Sequence, residues 1–124
     1  MKKKTLPQLK KKAWRLLSEL IRSENHCCQS CGKTREHWRL EVHHIVPKAR
    51  GHYFNEDNLI VLCNYCHRWG WHGAWTVEEC RQLAINIIGE NMYLELHNPE
   101  GYTNKRSRSE YEDLIASYKE RLEN

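Results

Sequence analysis

Two Cys-x-x-Cys pairs, Cys28-Gln29-Ser30-Cys31 and Cys63-Asn64-Tyr65-Cys66, constrain this chain more than any other feature. Thiolates two residues apart on a tight turn can both reach one ion, and two such turns complete a tetrahedral shell of the zinc type. Gly32 follows the first pair and eases its turn. Residues 32–62 lie between the pairs, more than the roughly 15–20 residues of a simple zinc ribbon, so the ion clasps the ends of an inserted unit. Cys27 competes with Cys28 as a ligand, but only Cys28 reproduces the two-residue gap of the second pair. Cys27 and Cys80 are assigned to packing, the usual place of an unpaired cysteine.

Zinc is preferred to a disulfide framework because nothing marks the chain for an oxidising compartment. No apolar stretch approaches the roughly 18 residues of a membrane span, and Lys2, Lys3 and Lys4 are followed by no signal-peptide core. The expected location is cytoplasmic, with no membrane partner.

Inside the insert, "LEVHHIVPKARG" (residues 40–51) reads as a strand with two adjacent histidines. Successive strand side chains point to opposite faces, so His43 and His44 cannot be equivalent ligands of one ion. The plain reading of such a pair is one histidine hydrogen-bonded in the core and one at the surface. The functional reading gives them different jobs.

The 124 residues make one domain in three parts. Residues 8–23 carry Leu9, Trp14, Leu16, Leu17, Leu20 and Ile21 at helical spacing, an amphipathic helix expected to pack beneath the metal-rich centre. The centre spans residues 26–73. From 76 to 124 helical signals return, with Thr76 as N-cap, Gly89 as a stop, and Ser109 capping a last helix through Leu122. The net charge of +4 is uneven: residues 1–22 hold eight basic residues against Glu19 alone, a polyanion-attracting end or simply a solvated helix face.

In order, the chain reads Cys28-x-x-Cys31, His43-His44, Asn58-Leu59, and Cys63-x-x-Cys66-His67. In this it resembles the HNH endonuclease family, in the zinc-stapled, four-cysteine branch of phages and bacterial restriction systems. The resemblance implies an α+β fold, a ββα-metal (His-Me finger) core with a four-cysteine zinc site, between flanking helices. It implies His44 as general base, His43 and His67 as ligands of one catalytic divalent cation (Mg2+, Mn2+ or Ni2+), and Asn58 as the residue holding the hairpin loop and the base in place. A phosphodiester repels nucleophiles and leaves poorly, so cutting it takes an activated water and an electrophile, one from each histidine of the pair. Asn58 alone reads as an Asx-turn or cap residue, and His67 alone as a polar residue after a zinc turn.

One departure stands out. Relatives carry a further histidine four residues after His67, one helical turn on, whereas His72 is five residues on. It reaches the ion if Gly70 loosens the turn; otherwise it contacts phosphate or does neither.

The resemblance makes DNA the partner, hydrolysed to 5′-phosphate and 3′-hydroxyl ends with low sequence specificity. Lys48, Arg50 and Arg68 are the candidate backbone contacts, joined by Lys105, Arg106, Arg108 and the first helix. His52 is a further candidate for substrate contact, and Trp69, Trp71 and Trp75 either stack on bases or pack on the core. Two non-catalytic alternatives remain: a zinc-dependent nucleic-acid-binding module, and an accessory subunit with a phage terminase or recombination partner. Nicking against double-strand cutting, and the oligomeric state, stay open.

Overall fold

The computed structural model describes residues 3–34, 39–47, 51–98 and 102–124. Lys48, Arg50 and His37 lie outside them. Helix α1 runs Leu6–Glu24. Its start is fixed locally: the Thr5 hydroxyl accepts from the Gln8 N–H, the Gln8 side chain accepts from the Thr5 N–H, and Pro7 sits where a missing N–H costs nothing. The apolar stripe then buries Leu9, Ala13, Leu16, Leu17, Leu20 and Ile21.

Strands β1 (Leu40–His44) and β2 (Leu59–Cys63) form one antiparallel pair, Leu40 opposite Cys63 and His44 opposite Leu59. All five residues of β2 are buried, as its unbroken apolar run "LIVLC" requires, whereas β1 leaves Glu41 and Val42 partly exposed. A 3-10 turn, Glu56–Asn58, leads into β2. Directly after β2 comes a π-helix, Cys66–Ala74, and then α2 (Val77–Ile88), α3 (Glu90–Leu96) and α4 (Arg108–Glu123). The hairpin followed by a helix is the ββα unit, so the α+β expectation holds.

Thr76 caps α2 through a capping box with Glu79, and Gly89 ends it at φ +87°, as expected. The cap of α4 is Ser107 rather than Ser109. Ser107 and Glu110 exchange both capping-box bonds, an arrangement that needs the acid three residues after the hydroxyl. Helix α3 was not anticipated from the sequence.

Leu16, Leu17 and Leu20 of α1, Leu40, Ile60, Val61 and Leu62 of the hairpin, Ala84, Leu96, and Tyr111, Ile115 and Tyr118 of α4 share one buried cluster. Helix α1 packs chiefly along α4 and also meets β1. Arg121 of α4 ties the layers at the rim, pairing with Glu56 at 2.7 Å and with Glu24 at 3.5 Å. No helix among the described residues is long and apolar enough to cross a membrane.

Candidate active site

The sulfur atoms of Cys28, Cys31, Cys63 and Cys66 all lie within 4.8 Å of one another. Zinc–sulfur bonds of about 2.3 Å in a tetrahedron place sulfurs about 3.8 Å apart, and Cys31 Sγ stands 4.0 Å from Cys63 Sγ. The donor set therefore fits one zinc-type ion. Backbone N–H groups aim at the sulfurs: Ser30 and Cys31 at Cys28 (3.4 and 3.5 Å), and Cys66 at Cys63 (3.4 Å). Such donors favour thiolate over thiol. Burial opposes ionisation of Cys63, yet the donors around it hold the thiol down to about 7. Gly32, at φ +73°, turns the chain out of the first pair, and the Gly32 N–H returns to the Cys28 carbonyl at 2.9 Å.

Cys27 does not pack. It is exposed, bridged by its backbone to Thr34, and is not one of the four clustered cysteines. Cys80 is half-buried, with its thiol 3.8 Å from the Trp71 carbonyl.

The strand separates the two histidines as alternation demands. His43 faces the π-helix, with its ring centroid 4.8 Å from His67, 5.1 Å from His72 and 4.4 Å from Trp71. One nitrogen from each of His43, His67 and His72 falls within a common 4.8 Å, and His43 Nδ1 is 3.1 Å from His67 Nε2. Metal–nitrogen bonds of about 2.1 Å put neighbouring ligands about 3.0–3.4 Å apart, so these imidazoles fit one cation. Burial, reinforced by His67, His72 and His44, pushes His43 down to about 3, which keeps its ring neutral and its lone pair available. Burial likewise lowers His72. His43 Nε2 is buried and has no partner among the described residues.

The π-helix brings His72 into register with His67. Its hydrogen bonds run i to i+5, as in Trp75 N–H to the Gly70 carbonyl at 2.9 Å, and this wider turn brings residues five apart closer to one face than an α-helix would. Gly70 lets Trp75 pack against that path: a Cβ there would stand 2.5 Å from Trp75 Cε2.

On the other face, His44 Nε2 lies 3.0 Å from the Tyr53 carbonyl. A carbonyl only accepts, so Nε2 carries the proton and, in the neutral ring, Nδ1 carries the lone pair. The imidazole is stacked on Trp14 (centroids 4.8 Å, planes 25° apart) and tilted against Tyr53. Asn58, fully buried, closes the loop that carries Tyr53. Its Oδ1 accepts from Val46 N–H at 2.8 Å, its Nδ2 donates to the carbonyls of Val46 (3.3 Å) and His52 (3.4 Å), and its own carbonyl accepts from Ile45 N–H. His43, His44, His67 and His72 line one cavity of about 360 Å3 together with Trp14, Val42 and Pro47.

Residues 28–69 match the family model described as HNH endonuclease. That central third of the chain is similar to an HNH domain. Over 82 residues, 61% of this chain, it is 30% identical to the type IV methyl-directed restriction enzyme EcoKMcrA of Escherichia coli (strain K12). The chain spans 28% of that relative's length. No solved structure matches. The matched segment ends before His72, which the π-helix brings into the cavity.

Three neighbours of the cavity histidines were missed in the sequence. Glu41, two residues before His43 on the same strand, accepts from His67 Nδ1–H at 3.1 Å and from Arg68 at 2.9 Å. Burial opposes its ionisation, but the bonds from Arg68 and His67 hold its carboxyl below the usual range. Period-two spacing on the strand was the available signal. Trp14 and the Tyr53 carbonyl gave none, since only folding brings them to His44.

Arg68 is thus paired with Glu41, although its side chain remains largely exposed. His52 is not available to substrate. It is 1% exposed, with Nδ1 3.1 Å from Asn55 Nδ2 and its ring 4.1 Å from that of Tyr102. Among the tryptophans, Trp71 and Trp75 pack on the core, whereas Trp69 is 69% exposed.

Proposed function

We propose that this chain is a metal-dependent DNA endonuclease in which His44 activates water and His43, His67 and His72 hold the catalytic divalent cation. One observation carries the reading: three imidazole nitrogens converge within 4.8 Å in the same cavity as a histidine whose Nε2–H is committed to a backbone carbonyl. A divalent cation of the Mg2+, Mn2+ or Ni2+ kind, when bound, supplies Lewis-acid polarisation of the phosphate and stabilises the leaving oxygen.

The chain's own groups supply the rest. His44 Nδ1 takes the proton from water, and the Tyr53 carbonyl supports the resulting imidazolium at Nε2–H. Asn58 keeps the loop closed and so fixes the direction of that carbonyl. Glu41 holds the His67 tautomer, with the proton on Nδ1 and the Nε2 lone pair toward His43 and His72. The four cysteines carry a structural zinc that pins the ends of the hairpin. The relative's description as methyl-directed makes methylated and unmethylated DNA the substrates to compare.

The test is conversion of supercoiled plasmid, in both methylation states, with added Mg2+, Mn2+ or Ni2+. His44→Ala, at matched zinc content, is expected to cut at least about 100-fold more slowly while still binding DNA. A wild-type protein that binds but cuts under none of these cations would sink the nuclease reading in favour of a binding module.

A further inference from the structure

Helix α1 lies outside the matched HNH segment, yet it forms the second wall of the histidine cavity through Trp14. The same Trp14 lines a larger cavity, about 630 Å3, whose other walls include Lys4, Lys11, Lys12, Arg15 and Arg22. Lys11, Lys12, Arg15 and Arg22 recur at helical spacing along one side of α1, and Lys4 lies just before its start. Among the described residues no ion pair engages any of them. Arg22 Nε is buried with no hydrogen-bond partner.

Like charges are crowded here. The ammonium groups of Lys4 and Lys119 beside Lys12 lower it to about 8. A folded chain holding cations together, with Glu19 the one acid among residues 1–22, gains most from an anion seated between them. From Lys11 to Arg22 the groove runs roughly 16 Å, about five steps of one DNA strand.

Resting on the nuclease reading above, we propose that the basic groove of α1 is the track of the DNA phosphodiester backbone as it leaves the histidine cavity, with Trp14 as the wall common to both. The groove contacts phosphates and carries no base-reading role, so it sets affinity and salt dependence rather than sequence choice.

The experiment measures binding of the full chain, zinc-loaded and without added catalytic cation, to a mixed-sequence duplex across a salt series. Lys12→Gln with Arg15→Gln is compared with a control of equal charge loss, Lys33→Gln with Arg81→Gln. The groove variant should lower the log–log salt slope by about 2 and weaken binding about tenfold at low salt, with the control changing less than half as much. Equal losses in both variants, or none in the groove variant, would overturn the proposal. Lysine acetylation of the wild type gives a reading independent of variant folding: DNA should protect Lys11 and Lys12 but not Lys33, and equal labelling with and without DNA overturns the track. The two readings fail separately. Wild type that binds with this salt slope and groove protection but cuts nothing overturns the nuclease and supports the track; wild type that cuts while the groove variant binds as it does overturns the track alone.

Discussion

Among the described residues two metal-type clusters lie within one short stretch, and they are built on opposite principles. The four cysteines, three of them buried, would by themselves complete a tetrahedral shell and leave no position for a fifth group. The three histidines would leave positions open on a cation, and they line a cavity of about 360 Å3. Soft, charged thiolates on two turns suit a permanent staple, whereas neutral imidazoles on a strand and a π-helix suit a cation that must keep coordination sites for water and substrate. Their supports differ in the same way. Backbone N–H groups from the turns themselves stabilise the sulfurs, while a side chain from another element, Glu41, orients His67. A closed site can be specified locally; an open one needs the fold around it.

The largest effect that sharpens this contrast is on the staple. Cys63→Ser should abolish the cooperative thermal transition, because structural zinc is worth about 10–16 kcal/mol, as much as the whole stability of an ordinary domain. Circular dichroism with zinc analysis checks it, and a variant that melts like wild type would mean that the cysteines do not hold the hairpin.

Loss of the carboxylate should act on the open site alone. Glu41→Gln is expected to weaken Mn2+ or Ni2+ binding about 10–100-fold in calorimetry, with the four-cysteine zinc retained. Equal weakening at both clusters would break the comparison, since it would make Glu41 a general structural residue.

The smallest effect concerns the path between the clusters. Gly70→Ala forces a Cβ against the Trp75 ring, and we expect it to cost roughly 1–2 kcal/mol in stability by displacing the indole or opening the π-turn. Divalent-cation affinity should fall with it, as His72 leaves the register of His67. Unchanged affinity at reduced stability would show that His72 adds nothing to cation binding.

Legibility in the sequence follows range of interaction. Capping boxes at Thr5 and Thr76, the alternation of His43 and His44, and the spacing within each cysteine pair are all decided by residues a few positions apart. The displacement of the α4 cap from Ser109 to Ser107 belongs to the same class, because Glu110 three residues after Ser107 is the local signal that selects it. His72 does not. Its five-residue offset looks like a misfit on an α-helix and becomes a fit only where Trp75 against Gly70 accompanies an i to i+5 turn. His52 was misjudged for a related reason: loop position suggests solvent, but Tyr102, far along the chain, covers its ring.

By itself the sequence determined the donor types, their order, and that two neighbouring histidines face opposite ways, because donor chemistry and strand alternation are properties of short segments. Only the tertiary structure decided that Trp14 of α1 stacks on His44, that the Tyr53 carbonyl selects its tautomer, that Asn58 locks the loop presenting that carbonyl, and that a basic groove adjoins the histidine cavity. Each of these joins elements separated by a loop or more, and packing of the buried cluster, not local propensity, brings them together.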